Sequence, residues 1–261
     1  VQMRLPPALD ALLDGWTRTP VLKGESGGNI FRLTDTDGRV RFLKCGTGAV
    51  AEDIADEAHR LFWLAGRMPC AEPLHFTRSV DGAWLLTDAV AGRTVDAWIE
   101  DDRAHLPMVI DAMAAFLRRL HALPVADCPF DAGADVRMAH ARRLIDADMV
   151  DTDDFDSDHD GWIAEQLWDR LVALRRCVRP CAVTHGDYSL GNVMIDEGGR
   201  VMGCIDVGRL GVADPYQDIA ILWQNLREFG EGWAARFLDA YGLEVVDWQR
   251  LEFHRCLDEL F

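Results

Sequence analysis

Two short apolar runs late in the chain, Ala182-Val183-Thr184 and Gly203-Cys204-Ile205, each read as a strand that stops at a loop bearing a carboxylate. The first opens into His185-Gly186-Asp187-Tyr188-Ser189-Leu190-Gly191-Asn192, the second into Asp206-Val207-Gly208. Asp206 comes fourteen positions after Asn192. A chain with this pattern must place a small β segment, about residues 182–206, inside a region that otherwise reads as helical. No other feature of the 261 residues constrains the fold as much.

The first 90 residues are β-rich in pattern. Gly24-Glu25-Ser26-Gly27-Gly28-Asn29 is a glycine-dense turn, and Val40-Arg41-Phe42-Leu43-Lys44 alternates as a strand. Residues 49–66 follow a helical period, with Ile54, Ala58, Leu61 and Ala65 on one stripe. Trp84-Leu85-Leu86-Thr87 reads as a further strand running into a hinge, Asp88-Ala89-Val90-Ala91-Gly92. Beyond it, helices are expected at 107–122 and 161–176, with three more between 216 and 261. The expectation is an α+β chain with a small β-rich N-terminal lobe (residues 1–90) and a larger, mainly helical C-terminal lobe (residues 91–261).

An Asp and an Asn five positions apart on one loop suit phosphoryl transfer. That chemistry needs a carboxylate to orient the attacking hydroxyl and an oxygen ligand for Mg²⁺. Kinases carry this Asp-x-x-x-x-Asn spacing, followed by a second aspartate that holds the metal against the phosphates. Here the kinase H-R-D is H-G-D, and Ile205-Asp206-Val207-Gly208 stands where D-F-G is found. Lys44 shares a strand face with Val40 and Phe42, so it can reach phosphates while Phe42 lies against an adenine ring. Glu57 falls on the stripe of Ile54 and Leu61, where a carboxylate is costly unless paired, and Lys44 is its natural partner. The turn holding Ser26 matches neither G-x-G-x-x-G nor a P-loop, yet its glycines would let backbone approach a phosphate. Loops of purely structural carboxylates, a solvated Lys44 and an ordinary hairpin turn are the bland alternatives.

The net charge of −17 makes nucleic acid and anionic lipid poor partners and suits a cationic one, although acidity also serves solubility. Six aspartates crowd residues 151–160, which read as an irregular loop or a solvated charge run. Seven cysteines without a C-x-x-C spacing read as reduced thiols of a cytoplasmic protein. No apolar run reaches membrane-spanning length.

Val183-Thr184-His185 through Asp187-Tyr188-Ser189-Leu190 to Asn192 resembles the aminoglycoside 3′-phosphotransferases. So do Gly203 to Arg209, Ala213-Asp214, Tyr216 to Ala220, Leu120-His121, Cys128-Pro129-Phe130 and Leu257-Asp258-Glu259-Leu260-Phe261. The resemblance implies a bilobal, protein-kinase-like fold that uses ATP and Mg²⁺. Asp187 would be the catalytic base or hydroxyl-orienting group, with Asn192 and Asp206 as metal ligands. Lys44, held by Glu57, would bind the α- and β-phosphates. Phe42, Met194 and Ile205 would flank the adenine, Asp88, Ala89 and Val90 would bond its edge, and Ser26 would touch the nucleotide. Asp218 would pin the catalytic loop. Asp153, Asp154, Asp156, Glu228, Asp258, Glu259 and the Phe261 carboxylate, with Arg209 nearby, would surround a polycationic aminoglycoside such as kanamycin or neomycin. The implied activity is transfer of the ATP γ-phosphate to the drug's 3′-hydroxyl, conferring resistance. A related small-molecule kinase with another hydroxylated substrate, or a nucleotide-binding scaffold, stays open at this level.

Overall fold

The computed structural model describes residues 5–21, 28–101 and 103–261, with the side chains of residues 104 and 154 outside that description. The chain divides into two compact units. One comprises residues 1–92 and 202–208, the other residues 93–201 and 209–261.

The first unit opens with α1 (Pro7–Leu12), β1 (Thr17–Pro20), β2 (Asn29–Thr34) and β3 (Val40–Gly46). It continues with α2 (Ala49–Leu64), β4 (Pro73–Ser79) and β5 (Gly82–Asp88). The strands form one antiparallel sheet in the order β1-β2-β3-β5-β4. Strand alternation sends side chains to opposite faces. On β3, Leu43 and Cys45 join Leu9, Leu13, Leu33, Trp84 and Leu86 in a core closed by α1. Phe42 and Lys44 sit at the alternate positions, and α2 packs against β3, β4 and β5. Helix α2 buries Ile54, Ala55, Glu57, Ala58, Leu61 and Leu64. It ends one residue before Ala65, whose ψ of 131° is extended, so the expected stripe is one member shorter.

The second unit begins with β6 (Arg93–Thr94), α3 (Val95–Asp101), α4 (Leu106–His121), α5 (Ala134–Asp146) and α6 (Ala164–Leu174). Then come β7 (Ala182–Thr184) and β8 (Val193–Ile195). Strand β9 (Val201–Cys204) leads into residues grouped with the first unit, and β10 (Gly211–Ala213) pairs antiparallel with β7. Helices α7 (Tyr216–Arg227), α8 (Glu231–Tyr241) and α9 (Trp248–Asp258) follow. One core cluster joins Met138 and Ala141 of α5, Leu167 and Leu171 of α6, and Phe253, Cys256 and Leu257 of α9.

The helix expected at 161–176 starts at Ala164, because Gly161 has φ +77° and Ile163 is extended, and it tightens into a 3₁₀ turn at Arg175–Cys177. The acidic run is not wholly irregular, since Thr152–Asp154 and Ser157–His159 each form a 3₁₀ turn. None of the seven cysteines takes part in a disulfide. Among the described residues no helix is long and apolar enough to cross a membrane.

Candidate active site

In the first unit the sequence-predicted pair forms. Lys44 Nζ donates to both carboxylate oxygens of Glu57, each at 2.8 Å, and also to Asp206 Oδ1. Burial works against the ammonium, but the two carboxylates outweigh it and hold Lys44 above the usual lysine range. Asp206 has φ +56°, a left-handed backbone that aspartate tolerates better than most residues. Such local strain persists where surrounding structure over-determines it. The Asp88 carboxylate accepts from Arg41 Nε at 3.0 Å. The amides of Asp88 and Ala89 already donate to Glu72 and Val40 carbonyls, at 2.9 and 3.2 Å. Among the three expected hinge contacts, only the Val90 amide has no such intra-unit bond among the described residues. Ser26 lies outside the described residues.

In the second unit β7 leads into the loop of residues 185–192. Asn192 Nδ2 donates to the Asp187 carboxylate at 2.9 Å and to the Asp187 carbonyl at 3.0 Å. This pair of hydrogen bonds fixes the amide's orientation and turns its oxygen away from the aspartate. The loop is held from below by Asp218, fully buried on α7. Its carboxylate accepts from the amides of His185 and Gly186 at 2.7 and 2.8 Å, and lies 2.9 Å from His121 Nε2. Burial opposes the Asp218 charge, yet these donors hold its pKa below the usual carboxylate range. The chain of bonds continues from His121 Nδ1 to the Tyr241 hydroxyl at 2.7 Å. Tyr188, fully buried, donates to the Met113 carbonyl at 3.0 Å and stacks on Phe116. Gly186 has φ +88°, and a Cβ there would meet the Arg209 carbonyl oxygen at 2.3 Å, so only glycine fits.

The same unit carries a small acidic cavity of about 190 Å³, lined by Asp156, Gln224, Glu228, Arg255, Asp258 and Glu259, with Ala220 and Ile221. Four predicted substrate residues therefore come together. Asp153 is exposed and does not line the cavity, and its amide donates to Asp151. The side chain of Asp154 lies outside the described residues. Arg209 and Phe261 join from the side, with the guanidinium 5.0 Å from the ring centroid and 3.9 Å from Asp258.

The cavity's carboxylates are not equally free. Arg255 Nη2 donates to Asp156 and, at 2.7 Å, to Asp158, which also accepts from Arg227 at 2.8 Å. Burial raises the Asp156 pKa, but the Asp158 amide and Arg255 more than reverse this and lower it. Glu259 Oε1 sits 2.7 Å from His159 Nδ1, and burial still pushes the Glu259 pKa up. Burial likewise raises Asp258, against the pull of Arg137 and Arg209. Glu228 is exposed. Arg137, Arg255 and His159 escaped the sequence reading. The one available signal was that an arginine at 255 lies one helical turn before Asp258 on an acidic face.

A model of the phosphotransferase enzyme family matches residues 17–254. An aminoglycoside 3′-phosphotransferase from Escherichia coli is 44% identical over 261 residues, spanning 99% of this chain and 95% of its own length. One from Streptomyces fradiae is 38% identical over 255 residues, spanning 92% and 94%. The crystal structure of a type VIII aminoglycoside-3′-phosphotransferase matches with a TM-score of 0.84 at 35% identity, over 97% of this chain and 98% of that one. A Streptomyces rimosus aminoglycoside phosphotransferase, solved with ADP and streptomycin, matches with a TM-score of 0.78 at 28% identity, over 97% and 94%. An α+β architecture, a lysine–glutamate pair and an Asp187–Asn192 loop thus coincide with whole-length similarity, and the chain belongs to the aminoglycoside 3′-phosphotransferases of the phosphotransferase enzyme family.

Proposed function

We propose that the chain transfers the γ-phosphoryl group of ATP to the 3′-hydroxyl of an aminoglycoside such as kanamycin or neomycin, in the cytoplasm, and so confers resistance. The observation that carries this reading is the clamp of Asn192 on Asp187, on a loop whose amides are fixed by buried Asp218. A carboxylate so placed can orient an acceptor hydroxyl for in-line attack. Positioning of this kind supplies much of the rate in phosphoryl transfer.

The donor chemistry fits a hard divalent cation. Because the Asn192 amide nitrogen is committed to Asp187, its oxygen is left for a metal, and the Asp206 carboxylate adds an anionic oxygen. Among the described residues no cluster of three or more His, Cys, Asp or Glu side chains forms a closed metal cage. Mg²⁺ sites of this class need none, because one or two protein oxygens are completed by phosphate and water. Mg²⁺, when bound, neutralises charge across the β- and γ-phosphates.

Lys44 would bind the α- and β-phosphates, with Glu57 fixing its ammonium. The Asp206–Lys44 contact keeps both groups oriented until nucleotide enters. Phe42, Ile205 and Met194 would flank the adenine. The Val90 amide would be the hinge donor for its edge, beside Asp88 and Ala89. Ser26 would touch the nucleotide. Asp156, Glu228, Asp258, Glu259 and the Phe261 carboxylate, together with Asp153 and Asp154, would receive the ammonium groups of the drug, with Arg209 nearby.

The deciding experiment is ADP release with Mg²⁺-ATP and either kanamycin or tobramycin, which lacks the 3′-hydroxyl. Turnover with kanamycin alone is the expected result. Equal turnover with both drugs would move the acceptor to another hydroxyl, and turnover with neither would remove the antibiotic reading.

A further inference from the structure

Arg137 lies on α5, far in sequence from either functional loop, and only 7% of its surface is exposed. Its Nη1 donates to the Gly186 carbonyl at 3.1 Å, one residue before Asp187. Gln217 Nε2 shares that oxygen at 3.4 Å. Its Nη2 faces Asp258 Oδ1 at 3.7 Å, beyond hydrogen-bond reach, and has no hydrogen-bond partner among the described residues. The guanidinium also sits over the Phe261 ring, 4.7 Å from its centroid. Burial lowers its pKa to about 10, which still leaves it charged at neutral pH.

A buried guanidinium is costly to desolvate, and a well-packed apolar side chain would be the simpler filling for a core position. Arg137 instead touches three things at once: the main chain beside Asp187, a carboxylate of the acidic cavity, and the ring of Phe261. Its two nitrogens form a rigid fork, so a displacement at one arm is felt at the other.

We propose that Arg137 is a positioning residue that couples the acceptor-binding end of α9 to the catalytic loop, one arm holding Gly186 and the other facing Asp258. This rests on the assignment of Asp258 and Phe261 to the aminoglycoside. When a drug ammonium engages Asp258, the fork's free arm and the Phe261 ring adjust. The arm on Gly186 then transmits that adjustment to the backbone that carries Asp187. Occupancy of the drug site and alignment of Asp187 are thereby linked.

The test compares Arg137→Met and Arg137→Lys in the full chain, using steady-state kinetics for kanamycin and ATP and thermal unfolding as a check on folding. Arg137→Met is expected to lower kcat about tenfold and raise the kanamycin KM about tenfold, with the ATP KM within about twofold. Arg137→Lys keeps the charge but not the fork, so it recovers most of the kanamycin KM and little of the kcat. Indifference of both kcat and kanamycin KM to Arg137→Met overturns the proposal, as does an ATP KM that rises in step with the drug's. Where Arg137→Met does not fold, Arg137→Lys is combined with Asp258→Asn. Non-additive effects on kanamycin KM support the coupling, and simple additivity overturns it. A parent protein inactive on kanamycin sinks the functional reading and this proposal together, whereas an active parent with an indifferent variant sinks only this one.

Discussion

Beneath the loop of residues 185–192, the Asp218 carboxylate receives two backbone amides and faces His121, and it is fully buried. Around the acidic cavity, Asp156 and Asp158 are held by Arg255 and Arg227, and Glu259 by His159, while Glu228 stays exposed. Both regions are rich in carboxylates, but the first uses charge to fix a backbone and the second has part of its charge already paired with arginine and histidine. The difference teaches that a net charge of −17 overstates what a cationic molecule meets locally. Arginines inside the acidic region determine which carboxylates remain for binding.

Four measurements would break or sharpen that contrast. The largest effect belongs to the loop. Asp187→Ala is expected to lower kcat by about three orders of magnitude while nucleotide binding, read by calorimetry, persists. Near-normal turnover would show that the loop does not carry the chemistry. Next, Asp218→Ala leaves two buried amides without an acceptor and should cost about 3 kcal/mol in urea unfolding. A loss confined to activity, with stability unchanged, would mean that Asp218 is not a structural anchor.

The third concerns His254 on α9, whose ring nitrogens are buried without hydrogen-bond partners among the described residues. Burial pushes its pKa down to about 3. An unfolded imidazole titrates near 6.5, so between about pH 6.5 and 3 the unfolded chain binds a proton that the folded one refuses. This contribution to stability is fully present above the unfolded pKa and is lost as pH falls through that window, by about 1.4 kcal/mol per pH unit within it. His254→Leu should flatten this part of the stability-versus-pH curve, and an unaltered slope would assign the acid sensitivity elsewhere. The smallest effect is expected at the exposed rim. Glu228→Gln should raise the kanamycin KM roughly threefold at low salt and less at high salt, because exposed charges are screened. A salt-independent change would argue that Glu228 acts by shape.

The sequence made the loops legible because their chemistry is written locally. Asp187, Asn192 and Asp206 follow directly after short apolar strands, and Lys44 and Glu57 sit on patterns of period two and 3.6. The α+β organisation and the three last helices were legible for the same reason. Other elements carried weaker signals. Helix α5 is rich in arginine and buries only Ala134, Arg137, Met138 and Ala141, so its stripe is hard to see. Strand β1 is four exposed residues ending in proline, an edge strand with no alternation to detect. The ion pairs that govern the acidic cavity join residues about a hundred positions apart, as Asp156 and Arg255 do, and no local pattern announces them. Engagement of the Asp88 and Ala89 amides was hidden for the same reason, since their acceptors lie on separate strands or turns.

Gly186 bears on how this loop can change over time. The main chain there is left-handed and presses against the Arg209 carbonyl, so no side chain can be accommodated while residue 209 stays in place. An arginine, which protein kinases carry between the same histidine and aspartate, is therefore closed to this chain by any single substitution. A lineage moving between the two signatures would have to rebuild the path of residue 209 at the same time.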